Sequence, residues 1–301
     1  MEFAETITAT DFIWLAGLIL FARWLLDTSL GRKALADSRP RRNSMPSYLP
    51  LVPLLLWFGG VAMAVVLVQK LTPGLQGWQK IFIDNLVMSI GAVVTMGVML
   101  FLAHVHFARR LKGFGLNIRT TVKDFLMAIV NLLATWPIMM AAITMTMFIA
   151  ELIWGSEYQI QQHQQLEMIT EYTQLPLRIM IFFVAVVIAP LLEEMLFRGF
   201  VQTTIRSILD LRFSNFDYRN ETNNLQPAIG NWQSKSAWLA IAASSAFFAI
   251  MHEDPGHWPA LFVLGVCLGY SYEKSGSLLR PIFIHLFFNA YSLTAALYLQ
   301  T

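Results

Sequence analysis

The sequence predicts an all-α, polytopic membrane helix bundle, and two observations carry that prediction. Of 301 residues, 56% are hydrophobic and only 13% charged, with a mean hydropathy of +0.55; soluble domains carry about twice that charge fraction. The apolar residues also gather in runs long enough to cross a bilayer, which takes about 20 residues. One globular core could not hide so much apolar surface, so lipid must solvate much of it. A net charge of +2 gives no reason to expect a nucleic-acid partner. The single cysteine, Cys267, excludes an intramolecular disulfide framework and reads as a small buried apolar residue.

About eight transmembrane segments follow in order: roughly Phe12 to Leu30, Tyr48 to Val68, Ile81 to Phe107, Phe125 to Trp154, Leu177 to Thr203, Ala237 to Met251, Trp258 to Tyr272 and Leu279 to Leu299. The sixth and seventh are short. Glu2 and Glu5 precede the first run without a basic residue, unlike a secretory signal, so the N-terminus is expected to be retained. Basic residues concentrate after the first run (Arg32, Lys33, Arg39, Arg41, Arg42), the third (Arg109, Arg110, Lys112, Arg119, Lys123) and the fifth (Arg206, Arg212, Arg219, Lys235). Lys274 and Arg280 follow the seventh, whereas the fourth connection holds Glu151, Glu157, Glu167 and Glu171 against Arg178. This alternation predicts a multi-pass protein of the inner (plasma) membrane with both termini outside the cytoplasm. Asp210 to Ser236 reads as a cytoplasmic loop, and Gln159 to Gln174 as a short polar helix. Residues 1–170 form an N-terminal transmembrane region of about four helices without a clear motif; the polar motifs fall within 171–301.

Ionisable groups inside apolar spans are costly and mark functional sites. Three clusters stand out. In Pro190-Leu-Leu-Glu193-Glu194-Met-Leu-Phe-Arg198-Gly199, Glu194 and Arg198 lie one helical turn apart and can pair. Glu193 is rotated about 100° away. An ordinary ion pair at a helix end explains Glu194 and Arg198 but leaves Glu193 partnerless, and a free carboxylate in an apolar site can serve as a general base. In Phe248-Ala-Ile-Met-His252, the ring and the imidazole share a helix face. A zincin reading of His252 through His257 fails, because the histidines are not four apart and Pro255-Gly256 breaks the helix. In Pro281-Ile-Phe-Ile-His285-Leu-Phe-Phe-Asn289, His285 and Asn289 share a face; alone, this pair fits an interhelical hydrogen bond as well as catalysis.

Together the clusters offer a hydrolase its parts. Glu193 with His252 could activate water, and His285 with Asn289 could hold an oxyanion. No serine stands in a Gly-x-Ser-x-Gly elbow, so water is the better nucleophile. The ordered trio Glu-Glu-x-x-x-Arg, Phe-x-x-x-His and His-x-x-x-Asn, over roughly 176 to 300, resembles the CAAX prenyl endopeptidase and bacteriocin-processing (CPBP, Abi) family of intramembrane proteases. The resemblance implies an intramembrane endopeptidase with an active site in a cytosol-facing cavity, acting on a peptide or membrane protein in CAAX-type prenyl-protein or peptide processing. It implies Glu193 as base assisted by His252, His285 and Asn289 as oxyanion stabilisers, and Glu194 and Arg198 in support. Phe248 supports His252. Family members are often labelled metalloproteases, and Glu193, His252 and His285 could ligate a divalent metal such as zinc; the same residues suffice without a metal, and the residue pairs lean that way. A proton- or ion-relaying transporter and a non-catalytic scaffold or immunity protein are the alternatives.

Depth is the difficulty. Glu193 and His285 come out roughly 10 Å from the cytoplasmic ends of their spans, but His252 roughly 24 Å when counted from Ala237. Either the sixth span begins well out in the cytoplasm, or the sixth and seventh form a shallow hairpin; their shortness and the charged turn Glu253-Asp254 favour a hairpin or a water-filled cavity over full spans.

Overall fold

The computed structural model describes residues 9–75, 77–155, 164–220, 225–252 and 254–298, so Glu2, Glu5, Glu157 and Glu253 lie outside the described residues. Among these the chain is helical and forms no named strand. The long helices are α1 (Ala9–Asp27), α2 (Leu51–Leu71), α3 (Trp78–His106) and α4 (Thr121–Trp154). The short polar α5 (Gln164–Glu171) follows, within the stretch where such a helix is expected. Helix α6 begins at Leu175 and continues to Asn220; α7 (Leu225–Ile250), α8 (Trp258–Ser275) and α9 (Leu279–Tyr298) complete the bundle. Among the described residues five helical stretches are long and apolar enough to cross a membrane: those of α2, α3, α4, α6 and α9. This makes the chain a multi-pass membrane protein. Helices α1, α7 and α8 stand where the other three spans are expected and are not among these five.

Helix α6 is the centre. Of its apolar window, 44% is buried inside the protein, against 11% to 28% for the other four, whose outer faces carry exposed apolar side chains such as Met63, Phe101 and Leu152. Those four therefore face lipid, and α6 faces protein. Its own Leu192 and Phe200 pack with Met99, Phe114 and Phe248, all buried.

The first, third and seventh connections meet at one end of the bundle, beside Arg206 of α6. Backbone hydrogen bonds join Ser44 N–H to the His106 carbonyl (2.9 Å) and Ala108 N–H to that of Arg42 (3.1 Å). Arg41 donates to the carbonyls of Gly113 (2.9 Å) and Tyr272 (3.3 Å) and lies 3.8 Å over the Tyr272 ring. Buried Arg206 joins Glu273 at 2.8 Å and Ser38 Oγ at 3.0 Å. So much positive charge gathered on one face is what the loop bias anticipates for one side of a membrane. Gly115 closes this end with φ +108°, and a Cβ there would lie 2.7 Å from the Leu278 nitrogen, so only glycine fits.

One reading of the sequence needs correction. The stretch from Asp210 to Ser236 is helical rather than a loop: α6 runs on to Asn220 and α7 starts at Leu225, with 221–224 outside the described residues. The composition is polar, its proline, Pro227, falls in the first turn of α7 where the ring is tolerated, and a helix that projects beyond the apolar layer has no need of an apolar face. Ser236 Oγ donates to the Asp210 carboxylate and ties the two helices together.

Candidate active site

Three helices bring the candidate residues together. Helix α6 widens twice into π-helical turns, at Val184–Ile188 and Met195–Gln202, on either side of Glu193 and Glu194. Such widened turns are rare and often occur at functional sites. Side chains engage their carbonyls: Asn289 donates to Ala185 (2.7 Å), Ser244 to Phe197 (3.1 Å) and Thr203 to Arg198 (3.1 Å). Gly199 lets the Phe114 ring approach, since a Cβ there would sit 2.3 Å from it.

The two adjacent acids separate as the helical phase requires. Glu194 is fully buried, with Oε2 3.1 Å from Arg198 Nε and Oε1 2.9 Å from His285 Nδ1. Its contact with Arg198 is one of charge rather than of aligned hydrogen bonding, because neither Glu194 Oε2 nor Arg198 Nε has a hydrogen-bond partner. Arg198 is also fully buried; its Nη1 donates to Ser244 Oγ at 3.4 Å, and its guanidinium lies 4.9 Å from the Phe248 ring centre. Glu193 is different. Its side chain is 27% exposed, and its Oε2 is buried without a hydrogen-bond partner, 3.9 Å from His285 Nε2.

His285 and Asn289, one turn apart on α9, both reach α6: the imidazole to the carboxylates and the amide to the Ala185 carbonyl. Part of the donor capacity of Asn289 is therefore held by the scaffold. His252 follows the end of α7, its Nδ1 2.9 Å from the Phe248 carbonyl and its own carbonyl accepting from Trp258 Nε1 at 2.9 Å. The Phe248 ring contacts both histidines edge-on, with centroids 4.8 Å from His252 and 5.7 Å from His285. His252 therefore lies near His285 and not at a far surface. Helix α7 begins at Leu225 instead of Ala237, twelve residues before the expected span. After α7 the chain makes a single 3-10 turn at Pro255–His257, so no unbroken helix carries His252 and His257.

A catalytic zinc takes three protein ligands plus water. Among the described residues no three His, Cys, Asp or Glu side chains are grouped to hold an ion, so Glu193, His252 and His285 are not assembled as a ligand set. Both histidines pack on the Phe248 ring, which sets their spacing.

Residues 175–291 match the Rce1-like family model, described as type II CAAX prenyl endopeptidase Rce1-like. The C-terminal segment is thus similar to that family over about two fifths of the chain. The match covers α6 to most of α9 and every residue of the three motifs. No curated protein and no solved structure matches the chain.

Ser244 escapes the sequence reading, although it bonds Arg198 and the Phe197 carbonyl. Ser244-Ser245, a polar pair inside an apolar helix, was the available signal.

Proposed function

We propose that the chain is an intramembrane endopeptidase in which Glu193 activates water against a peptide bond. The observation that carries this reading is the contrast between the acids: Glu194 is locked by Arg198 and His285, while Glu193 keeps a buried oxygen without a hydrogen-bond partner that faces His285. A carboxylate with spare acceptor capacity can take a proton from water; one already bound by a guanidinium is poorly placed to do so.

In this mechanism Glu193 accepts a proton as the water oxygen bonds to the scissile carbonyl carbon. The carbonyl oxygen becomes an oxyanion, stabilised by N–H donors of His285 and Asn289. In its doubly protonated form His285 donates Nδ1–H to Glu194 and presents Nε2–H to the reaction. The tetrahedral species then collapses, the C–N bond breaks, and the proton on Glu193 passes to the leaving amine with His252 assisting. Arg198 balances the charge of Glu194, and Phe248 spaces the two histidines. A bound divalent metal would supply Lewis acidity, but the described donors do not form its ligand set, and no step here depends on it. The substrate is a peptide or membrane protein, with CAAX-type prenylated C-termini the class the family description suggests.

The test uses purified protein with quenched peptides, prenylated and unprenylated, comparing wild type with E193Q and H285A. Cleavage that both variants lose supports the assignment. Cleavage that persists in E193Q removes Glu193 from the chemistry.

A further inference from the structure

We infer that helix α4, outside the matched segment, is a rear brace that sets the position of His285, and that Asp124 is its positioning residue. The brace itself stands on geometry; its effect on turnover rests on the peptidase reading above.

Arg280 is the second residue of α9 and is buried. A cation at a helix N-terminus opposes the helix dipole, and a buried one needs a partner. Asp124 supplies it from the first turn of α4, itself 1% exposed, its Oδ1 accepting from Arg280 Nε at 3.1 Å and lying 3.0 Å from Nη2. The next residue, Phe125, meets Phe283 and Phe287 edge-on at centroid distances of 5.5 and 5.1 Å. Further along, Trp136 meets Tyr291 edge-on at 4.7 Å.

These contacts trace one stripe. At about 100° per residue, Phe283, Phe287 and Tyr291 all return to within roughly 60° of Arg280. His285 and Asn289 fall roughly 140° to 180° away, on the face that meets α6. Helix α9 is therefore clamped between α4 behind and α6 in front. The ion pair fixes its height and the three aromatic contacts fix its rotation. A slip of one residue would swing His285 by about 100°, away from Glu194 and Glu193.

The experiment begins with D124N, which keeps the shape and removes the charge. On quenched peptides its kcat is expected to fall on the order of ten- to a hundredfold, the size of effect that a small misplacement of a reacting group produces. KM should stay within about twofold, because the contact made to substrate is unchanged. The double variant D124L/R280M removes both buried charges, a replacement that commonly preserves stability. Its melting temperature should recover while kcat stays low. Recovery of kcat together with stability would make the pair merely structural and overturn the proposal.

A second readout needs no activity. The ring 15N signals of His285, assigned by their loss in H285Q, should move in D124N and in D124L/R280M. They should stay fixed in Q69A, which disturbs the Gln69–Asp84 contact between α2 and α3. Unmoved signals in D124N overturn the brace whatever the kinetics show. Wild type that cleaves nothing sinks the peptidase reading instead, and the ring signals then decide the brace alone.

Discussion

His285 Nδ1 lies 2.9 Å from Glu194 Oε1, joining residues 91 positions apart in the chain. The contact orients the imidazole so that its other nitrogen faces Glu193 at 3.9 Å. Glu194 thus holds the ring, and its neighbour Glu193 keeps an oxygen without a hydrogen-bond partner.

Replacing Glu193 should be the most damaging change to activity and among the least damaging to the fold. E193Q keeps the side-chain volume and removes the base, for a loss of roughly a hundred- to ten-thousandfold in kcat. Thermal unfolding in detergent should be close to that of wild type. A variant that unfolds early would show that Glu193 is structural.

Arg198 should behave in the opposite way. R198Q leaves Glu194 as a fully buried carboxylate beside His285, and breaking a buried pair from one side costs about 3–5 kcal/mol. A clear drop in melting temperature is expected, with activity lost as a consequence. E194Q/R198M, which removes both charges, should recover much of the stability and little of the turnover.

Asn289 should affect both quantities. N289A leaves the Ala185 carbonyl in the π-helical turn without its side-chain donor, at about 1–3 kcal/mol. It also removes a proposed oxyanion donor, worth roughly a hundred- to a thousandfold in kcat in comparable sites. Loss of stability with kcat intact would confine Asn289 to scaffolding.

Chelation should leave the wild-type rate unchanged, since the described residues form no three-ligand group. The measurement is peptide cleavage after dialysis against a strong zinc chelator. Inactivation that added zinc reverses would require ligands beyond those described.

Gly199 should not tolerate a methyl group. In G199A the new Cβ would meet the buried Phe114 ring at 2.3 Å, and overpacking of this kind costs about 1–3 kcal/mol. F114L in the same background should restore part of the lost melting temperature, because a smaller side chain can yield.

Much of this protein is written in local sequence. Hydropathy alone determined that helices cross a membrane, because a polar backbone in lipid must satisfy itself within each segment. Spacing determined which residues share a face: Glu194 with Arg198, Phe248 with His252, His285 with Asn289. Such pairs are legible because the helical period is fixed before any helix meets another. The three motifs are of this local kind, and they all lie within the residues 175–291 that match the Rce1-like model.

What lay between helices was decided by the tertiary structure. The histidine that Glu194 would meet, the carbonyl that Asn289 would take, and the ring that both His252 and His285 would touch depend on packing across the bundle. Asp124 stands beside Lys123 just before the fourth apolar run and Arg280 belongs to a charged turn, and nothing in the sequence joins them. Their pairing, and the extension of α7 back to Leu225 through a polar stretch, followed from which surfaces could be buried together. Periodicity gives each helix its faces; only the close packing of several helices chooses which face meets which.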